Sequence, residues 1–234
     1  MINVYRVIPL VVAVAVLAAC ENGDQGVDTH SEGAGSSAHT ATATPAKVAK
    51  DLVLTPAELP GGLTVTESGD EMTRAIVDQL TGQGPEGVSY APEECRPVSM
   101  FNTSARIDAS KTGMILGQDN KEYINAAVVT ERPDIGNLSR YFSECGSVRL
   151  TDPHMSMETT YAVLENPQTR ADELVMVNEH SAGDVLKEQA YLAYARVGEY
   201  AVWVRVRALR DVVADRAMFD QLVTASINKV ANAT

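Results

Sequence analysis

The clearest alternation of apolar and polar positions lies near the C-terminus, in the segment YLAYARVGEYAVWVRVRAL. Two runs rich in Tyr, Val and Trp flank Gly198-Glu199, and a two-residue connection with glycine first is typical of a β-hairpin with a type II′ turn. This register places Val197 opposite Tyr200 and Tyr194 opposite Trp203. One face of the predicted hairpin carries Ala193, Ala195, Val202, Val204 and Val206. The other face carries Leu192, Tyr194, Arg196, Trp203, Arg205 and Arg207.

The last segment, DRAMFDQLVTASINKVANA, changes to the spacing of an amphipathic helix. Its apolar positions are Phe219, Leu222, Val223, Ile227 and Val230. Asp215 is placed to cap the N-terminus of this helix. A helix with one apolar side needs a sheet to cover, and the face with Ala193 and Ala195 allows close approach. We therefore expect the C-terminal helix to pack on that face of the hairpin.

Further alternating segments predict more strands upstream. They are GLTVTES, MILGQD, YINAAVVTE, METTYAVLE and ELVMVNE, while PEECRPVSM and DIGNLSRYFSEC are predicted to be short helices. The fold class predicted is α+β, with a mainly antiparallel sheet packed with helices and the C-terminal helix on the sheet.

The N-terminus carries a second apolar pattern, which runs from Val7 to Ala19 without a charged residue and follows Arg6. This pattern is typical of a secretory signal, and the run is shorter than the roughly 20 residues of a membrane-spanning helix. Leu17-Ala18-Ala19-Cys20 resembles the bacterial lipobox, which predicts cleavage after residue 19 and lipid on Cys20. The alternatives are an ordinary signal peptide with a chance cysteine, or an uncleaved short anchor. With lipid on Cys20, the protein would be held through its N-terminal lipid at the outer face of the cell membrane.

Composition then divides the chain into three parts. After the signal peptide at 1–19, residues 20–50 are rich in Gly, Ser, Thr and Ala, and are predicted to form a flexible tether behind the lipidated cysteine. Residues 51–234 have the size of a single domain with its own core. His30 and His39 in the tether could bind a metal, but isolated histidines in such a segment are more often solvated, so no metal site is predicted.

Cys95 and Cys145 remain once Cys20 is set aside. An even pair in an exported chain favours a disulfide, which would close a loop of about 50 residues and stabilise the fold by about 4 kcal/mol. A reactive thiol or a metal site is the alternative. Neither cysteine has a second one close by in sequence, as such sites usually have.

The net charge of −12 disfavours nucleic acid as a partner, because phosphate binding needs clustered Lys and Arg. The common hydrolase and kinase motifs are absent from the sequence, so we predict no enzyme and no cofactor. Glu179-His180-Ser181 suggests a base beside a hydroxyl, but neighbours on a strand point to opposite faces, which favours a surface strand end. His154 is interpreted as a turn residue, and Glu93-Glu94 as charge at the start of a helix.

Four segments resemble a known family, in the order in which the family has them. They are LTPAELPGGLTV, APEECRPV, EYAVWVRVRAL and the final amphipathic helix, which together extend over most of residues 52–232. The family comprises exported actinobacterial domains that occur as lipoproteins and as extracellular sensor domains of membrane Ser/Thr kinases of the mycobacterial kinase-H type. The resemblance implies an antiparallel sheet packed with helices around a ligand-binding cleft. Kinase members usually have two disulfides, whereas this domain has cysteines for one.

The second hairpin face is the candidate binding surface. Tyr194 and Trp203 offer stacking area, while Arg196, Arg205 and Arg207 offer fixed positive charge for a small anionic or amphiphilic ligand. The alternative is a plain solvated sheet face whose arginines pair with Asp and Glu. The function predicted is a lipid-anchored envelope domain that binds a ligand or partner without catalysis. A lipoprotein that docks onto an envelope protein, or a hydrolase without a known motif, remains an alternative.

Overall fold

The computed structural model describes residues 47–61, 63–66, 70–82, 87–102, 107–108, 111–183, 187–208 and 213–234. All of them belong to one compact unit of the chain. The predicted signal peptide at 1–19, Cys20, His30 and His39 lie outside the described residues.

Nine strands within the described residues form one sheet in which every neighbouring pair is antiparallel, in the order β1-β3-β4-β9-β8-β7-β6-β5-β2. The strands are β1 (Thr64–Thr66), β2 (Ser89–Ala91), β3 (Thr112–Gln118), β4 (Glu122–Val129), β5 (Ser147–Thr151), β6 (Ser156–Val163), β7 (Glu173–Gly183), β8 (Lys187–Val197) and β9 (Tyr200–Ala208). The two edge strands have three residues each, which limits the unpaired backbone that the sheet presents. The predicted fold class is confirmed.

Helices cover both faces of this sheet. They are α1 (Ala49–Leu52), α2 (Asp70–Leu80), α3 (Ile135–Glu144) and α4 (Arg216–Ala231), with short 3-10 turns at Pro56–Glu58 and Glu93–Cys95. None of the helices in the described part of the chain has the length and apolar character needed to cross a membrane.

The β8–β9 hairpin has the register that its sequence predicts. Val197 pairs with Tyr200, and Tyr194 pairs with Trp203. Gly198 has a φ of +58° at the first turn position, a conformation that glycine adopts without steric conflict. The two faces of the hairpin therefore carry the side chains that the sequence assigns to them.

One face of the sheet packs against α4 and is called the α4 face. Its fully buried side chains include Val204 and Val206 of β9, and Phe219 and Ile227 of α4. The Asp215 carboxylate accepts a hydrogen bond from the Met218 N–H at 3.0 Å, so the predicted N-cap of the C-terminal helix is present. The predicted contact between this helix and the small-residue face is confirmed.

The same face also receives α1 near the start of the described chain. Ala49 is fully buried, and the Tyr200 hydroxyl donates a hydrogen bond to the Lys47 carbonyl at 3.1 Å. Gly113 of β3 allows this close approach, because a Cβ at that position would clash with the Ala49 backbone. The sequence-based boundary between residues 50 and 51 falls inside α1.

The opposite face of the sheet is called the groove face, and α3 covers one end of it. Leu138 and Phe142 of α3 pack there against Val175, Leu192 and Trp203 of the sheet. Trp203 is only 1% exposed. The interpretation of this face as solvated surface is therefore wrong, because helices on this side give the sheet a second core. The pairing of its arginines with Asp and Glu, which the same interpretation predicts, is present.

Candidate functional site

The other end of the groove face lies beneath α2 and is not filled. A cavity of about 500 Å³ lies there, two more of about 280 and 130 Å³ extend from it towards α3, and Gln79 of α2 contributes to all three. We call them the large, middle and small chambers, and their set the groove. Apolar packing ends on β9 after Trp203, because the next two side chains on this face are Arg205 and Arg207.

The middle chamber contains a cluster of charged residues from three adjacent strands. The registers place Glu179 beside Ala190, Ala190 beside Arg207, and Ser181 beside Glu188, so all of these side chains share the groove face. Arg205 Nη2 donates to Glu179 Oε1 at 3.0 Å and to Glu188 Oε1 at 2.9 Å. Arg207 Nη1 lies farther from Glu188 Oε2, at 3.5 Å. The cluster thus binds Arg205 firmly and Arg207 loosely.

Burial changes the acid–base properties of this cluster. The side chains of Glu179, Glu188 and Arg205 are only 15–17% exposed. Burial raises the pKa of the Glu179 carboxyl above its usual value, and the charge of Arg205 opposes that rise. A partly buried carboxylate held in this way needs its guanidinium partner, since an unpaired charge would be poorly solvated.

Two tyrosines beside Glu179 form the polar wall of the middle chamber. Burial raises the pKa of both the Tyr141 and the Tyr161 hydroxyl, and the nearby Glu179 charge adds to the rise. Both therefore stay protonated at neutral pH and act as hydrogen-bond donors. The Tyr141 hydroxyl donates to the Cys95 carbonyl at 3.2 Å, which ties α3 to the 3-10 turn at Glu93–Cys95.

A disulfide strengthens the same wall. Cys95 and Cys145 are joined with an S–S distance of 2.07 Å and a Cα–Cα distance of 5.5 Å, as the cysteine count predicts. Pro97, two residues beyond Cys95, lines the middle and small chambers. The crosslink therefore holds the chain segment that closes the groove between α2 and α3.

The large chamber has an apolar side and a polar floor. Met72, Ala75 and Ile76 of α2 face Leu116 of β3 across it. The floor is formed by side chains of β3, β4 and β9, namely Gln118, Tyr123, Asn125, Arg205 and Arg207. The Arg207 guanidinium also lies over the Tyr123 ring, 5.2 Å from its centroid, in a cation–π arrangement.

The structure divides the five predicted ligand-binding residues among three places. Arg205 and Arg207 line the large and middle chambers. Trp203 is part of the core beneath α3, and Tyr194 lies beside it at the small chamber, 5.7 Å from the Phe142 ring. Arg196 lies near the hairpin turn, paired with Glu173 at 2.9 Å and with Asp172 at 3.3 Å. The predicted stacking surface on Trp203 is therefore not accessible.

The tripeptide Glu179-His180-Ser181 does not act as a unit in the structure. Glu179 and Ser181 line the middle chamber, while His180 points to the other face, where it contacts the Asn178 amide at 3.1 Å. His154 lies in a turn, since Asp152 accepts hydrogen bonds from its N–H and from that of Met155. Within the described ranges, no three His, Cys, Asp or Glu side chains are grouped as a metal site requires.

Sequence reasoning missed the acidic partners of the arginines and the helix that forms the groove. Glu179 belongs to β7 and Glu188 to β8, which lie in that order beyond one edge of β9. Only the strand order therefore shows that both reach Arg205. A signal for α2 is present in the sequence, because Ile76, Val77 and Leu80 share one side of a helix. Those three residues would have indicated its packed side.

Comparison with known proteins shows the fold alone. No family model matches the chain, and no curated protein matches it significantly. The crystal structure of an uncharacterized protein from Mycobacterium smegmatis, the Rv0999 ortholog, is similar with a TM-score of 0.50 and 17% identity. The similarity covers 75% of this chain and 92% of that one, so the two share a fold.

A second solved structure is also similar. The extracellular domain of PknH from Mycobacterium tuberculosis aligns with a TM-score of 0.45 and 13% identity, over 77% of this chain and 93% of that chain.

Proposed function

We propose that the chain is a lipid-anchored domain of the cell envelope that binds a ligand through the groove, without catalysis. The observation that carries this proposal is the position of the three chambers. The large chamber lies beneath α2, where the groove face loses its apolar packing, and the other two lie between α2 and α3; charged and hydrogen-bonding side chains contribute to the lining of each. A site with apolar walls and a few convergent polar groups suits a small molecule.

The volumes support a small molecule as the ligand. Ligand sites in proteins typically measure about 300–1,000 Å³, and the large chamber of about 500 Å³ falls in that range. The middle chamber adjoins it, since Gln79, Arg205 and Arg207 line both. The groove can therefore take a ligand that extends from one chamber into the next.

The anchor rests on the sequence of the first 20 residues. The short apolar run and the small residues before Cys20 support acylation of the thiol, and several acyl chains on one residue would hold the domain at the membrane. The test is detergent phase separation of cells that produce the full chain or its Cys20→Ser variant. We expect the full chain in the detergent phase and the variant in the aqueous phase. Equal partition of both would contradict a lipid on Cys20.

Native mass spectrometry tests the ligand-binding function. The exported chain from residue 20, with Cys20→Ser to prevent acylation, is purified without detergent and examined for a bound molecule. Ala75→Trp fills the large chamber from α2, while Arg74→Trp adds the same bulk at a neighbouring exposed position outside it. A molecule carried by the parent and by Arg74→Trp, and lost from Ala75→Trp, supports the proposal. Absence of any bound molecule, or its retention by Ala75→Trp, would favour docking onto another envelope protein.

A further inference from the structure

The large chamber differs from the middle chamber in the charge of its lining. The middle chamber is lined by Arg205 and Arg207 together with Glu179 and Glu188, so its charges balance. The large chamber is lined by the same two arginines, and no Asp or Glu of the described chain lines it. The large chamber therefore has guanidinium groups but no carboxylate in its lining, although Arg205 and Arg207 also contact the glutamates of the middle chamber.

Arg207 is less tightly paired with carboxylates than Arg205 is. Arg205 donates to both glutamates at 2.9 and 3.0 Å, whereas the one hydrogen bond of Arg207 to the described residues is 3.5 Å long. A guanidinium has five N–H donors, and the Arg207 side chain is 38% exposed. It can therefore bind an anionic group in the chamber without first breaking a strong ion pair.

Three side-chain amides share the large chamber with this guanidinium. Gln79, Gln118 and Asn125 line the large chamber from α2, β3 and β4. Their amide groups make no hydrogen bonds to other side chains or backbone within the described ranges of the chain. Each can donate and accept at once, so the three can complete the coordination of a polar head group placed on Arg207.

The opposite side of the chamber is apolar and partly open. Ile76 is nearly buried, but Met72 on the same helix is 50% exposed although it is a large apolar side chain. Leu116 of β3 faces these two residues across the chamber. A short hydrocarbon chain on these residues would remove the exposed surface of Met72 from water, which favours binding in proportion to the area covered.

We propose that the large chamber binds an amphiphile with a single anionic head, a carboxylate or a phosphate, whose head lies on Arg207 and whose apolar chain lies along Met72, Ile76 and Leu116. This inference rests on the proposed function of the groove and names its ligand class. The pairing of one loosely held guanidinium with an apolar wall carries it, because neither an inorganic anion nor an uncharged hydrocarbon uses both sides.

Isothermal titration calorimetry of the Cys20→Ser exported chain tests this inference with four ligands: decanoate, decyl phosphate, decanol and inorganic phosphate. We expect the two charged amphiphiles to bind, and decanol and phosphate to bind at least about tenfold more weakly, since a hydrogen bond to a charged group is stronger than a neutral one. Tighter binding of decanoate would indicate a fatty-acid-like ligand, and tighter binding of decyl phosphate a phosphate-headed lipid. Either result supports the inference.

Variants of the chamber test where the carboxylate head and the hydrocarbon chain of decanoate bind. Arg207→Gln is expected to weaken decanoate binding about tenfold or more, and Met72→Gln to weaken it through the chain. Arg149→Gln is the matched control, because Arg149 is 63% exposed and lies outside the chambers. All three replace exposed or half-exposed side chains, and equal unfolding midpoints would show that they fold.

Two results would overturn the inference. One is equal affinity for decanol and decanoate, and the other is unchanged decanoate binding in both Arg207→Gln and Met72→Gln. If the mass spectrometry finds a molecule that Ala75→Trp expels, and these titrations fail, the groove binds a ligand of another class. If no variant carries a molecule and the titrations also fail, the groove itself is not a ligand site.

Discussion

The two faces of the sheet use the same strands in different ways. On the α4 face, β9 presents Val202, Val204 and Val206, all at most 2% exposed, and α4 covers them along their length. On the groove face, the same strand presents Trp203 beneath α3 and then Arg205 and Arg207 beneath α2. Along β9, the α4 face is packed throughout, whereas the groove face is packed at Trp203 and open at Arg205 and Arg207. The difference coincides with a change of residue type along one strand, from Trp203 in a core to Arg205 and Arg207 in a chamber.

The largest expected effect concerns packing: it tests whether side chains at the α3 end of the groove face are packed as tightly as those on the α4 face. Trp203→Ala and Phe219→Ala should each lower the free energy of unfolding by about 3–5 kcal/mol, because both remove a fully buried aromatic side chain. Urea unfolding followed by circular dichroism measures both. A loss below about 1 kcal/mol for Trp203→Ala alone would show that this end is loosely packed.

A smaller effect is expected from the cluster at the open end. Arg205→Gln should lower the free energy of unfolding at pH 7 by about 3 kcal/mol, because it leaves Glu179 and Glu188 partly buried without their main counter-charge. Arg207→Gln serves as the control, since its pairing with Glu188 is longer and more exposed. Chemical unfolding of the two variants should rank Arg205→Gln as clearly less stable. Equal stability would mean that the cluster contributes little.

The next prediction concerns α1 and the residues just before it, which pack on the α4 face. A chain that begins at Asp51 loses the fully buried Ala49 and the hydrogen bond from Tyr200 to Lys47, whereas one that begins at Lys47 keeps both. We expect the shorter chain to be less stable by about 2 kcal/mol, from one buried methyl group and one hydrogen bond. Thermal unfolding of the two chains checks this. The same midpoint for both would show that α1 does not contribute to the core.

The smallest effect is an opposite pH dependence of two glutamates, Glu58 beside α4 and Glu179 in the middle chamber. The hydrogen bond from Lys229, followed by those from Thr55, lowers the pKa of Glu58 from 4.5 to about 2, so Glu58 contributes stability that is lost as the pH falls from 4.5 towards 2. Burial raises the pKa of Glu179, so its ionisation removes stability as the pH rises above 4.5.

The variants Glu58→Gln and Glu179→Gln isolate these two contributions. The stability lost by the parent below pH 4.5 should be smaller in Glu58→Gln. Relative to the parent, Glu179→Gln should gain stability as the pH rises above 4.5. Urea unfolding between pH 3 and 8 measures both trends, and trends of the same sign would contradict the assignment.

The packing of α4 on β8 and β9 could be predicted from the sequence in detail, because the sequence patterns that specify it are local. The Gly198 turn fixes the register of β8 and β9, and the spacing from Phe219 to Val230 fixes the side of α4 that meets them. Short elements without strong periodicity were missed, namely α1, β2 and β5. Their positions depend on contacts with distant strands, such as Tyr90 beside Leu150.

The groove could be predicted only in part. The alternation on β9 placed Arg205 and Arg207 on one face with Trp203, but alternation does not show which residues of that face a distant helix will cover. Trp203 is buried in the core to which α3 contributes, whereas Arg207 lines the chamber beneath α2. Strand order then decides the partners, because Glu179 and Glu188 reach Arg205 from β7 and β8. Such contacts between segments distant in sequence leave no local pattern.

The most direct test of the account is methyl NMR spectroscopy of the Cys20→Ser exported chain during addition of decanoate. We expect the methyl signals of Met72, Ile76 and Leu116, which line the large chamber, to shift with a saturating dependence on the decanoate concentration. The signals of Ile135 and Val175, which belong to the core on the α3 side and line none of the three chambers, should stay unchanged. Shifts confined to the α4 face, or no saturable shift in the chamber, would contradict the claim that the open end of the groove face is a binding site.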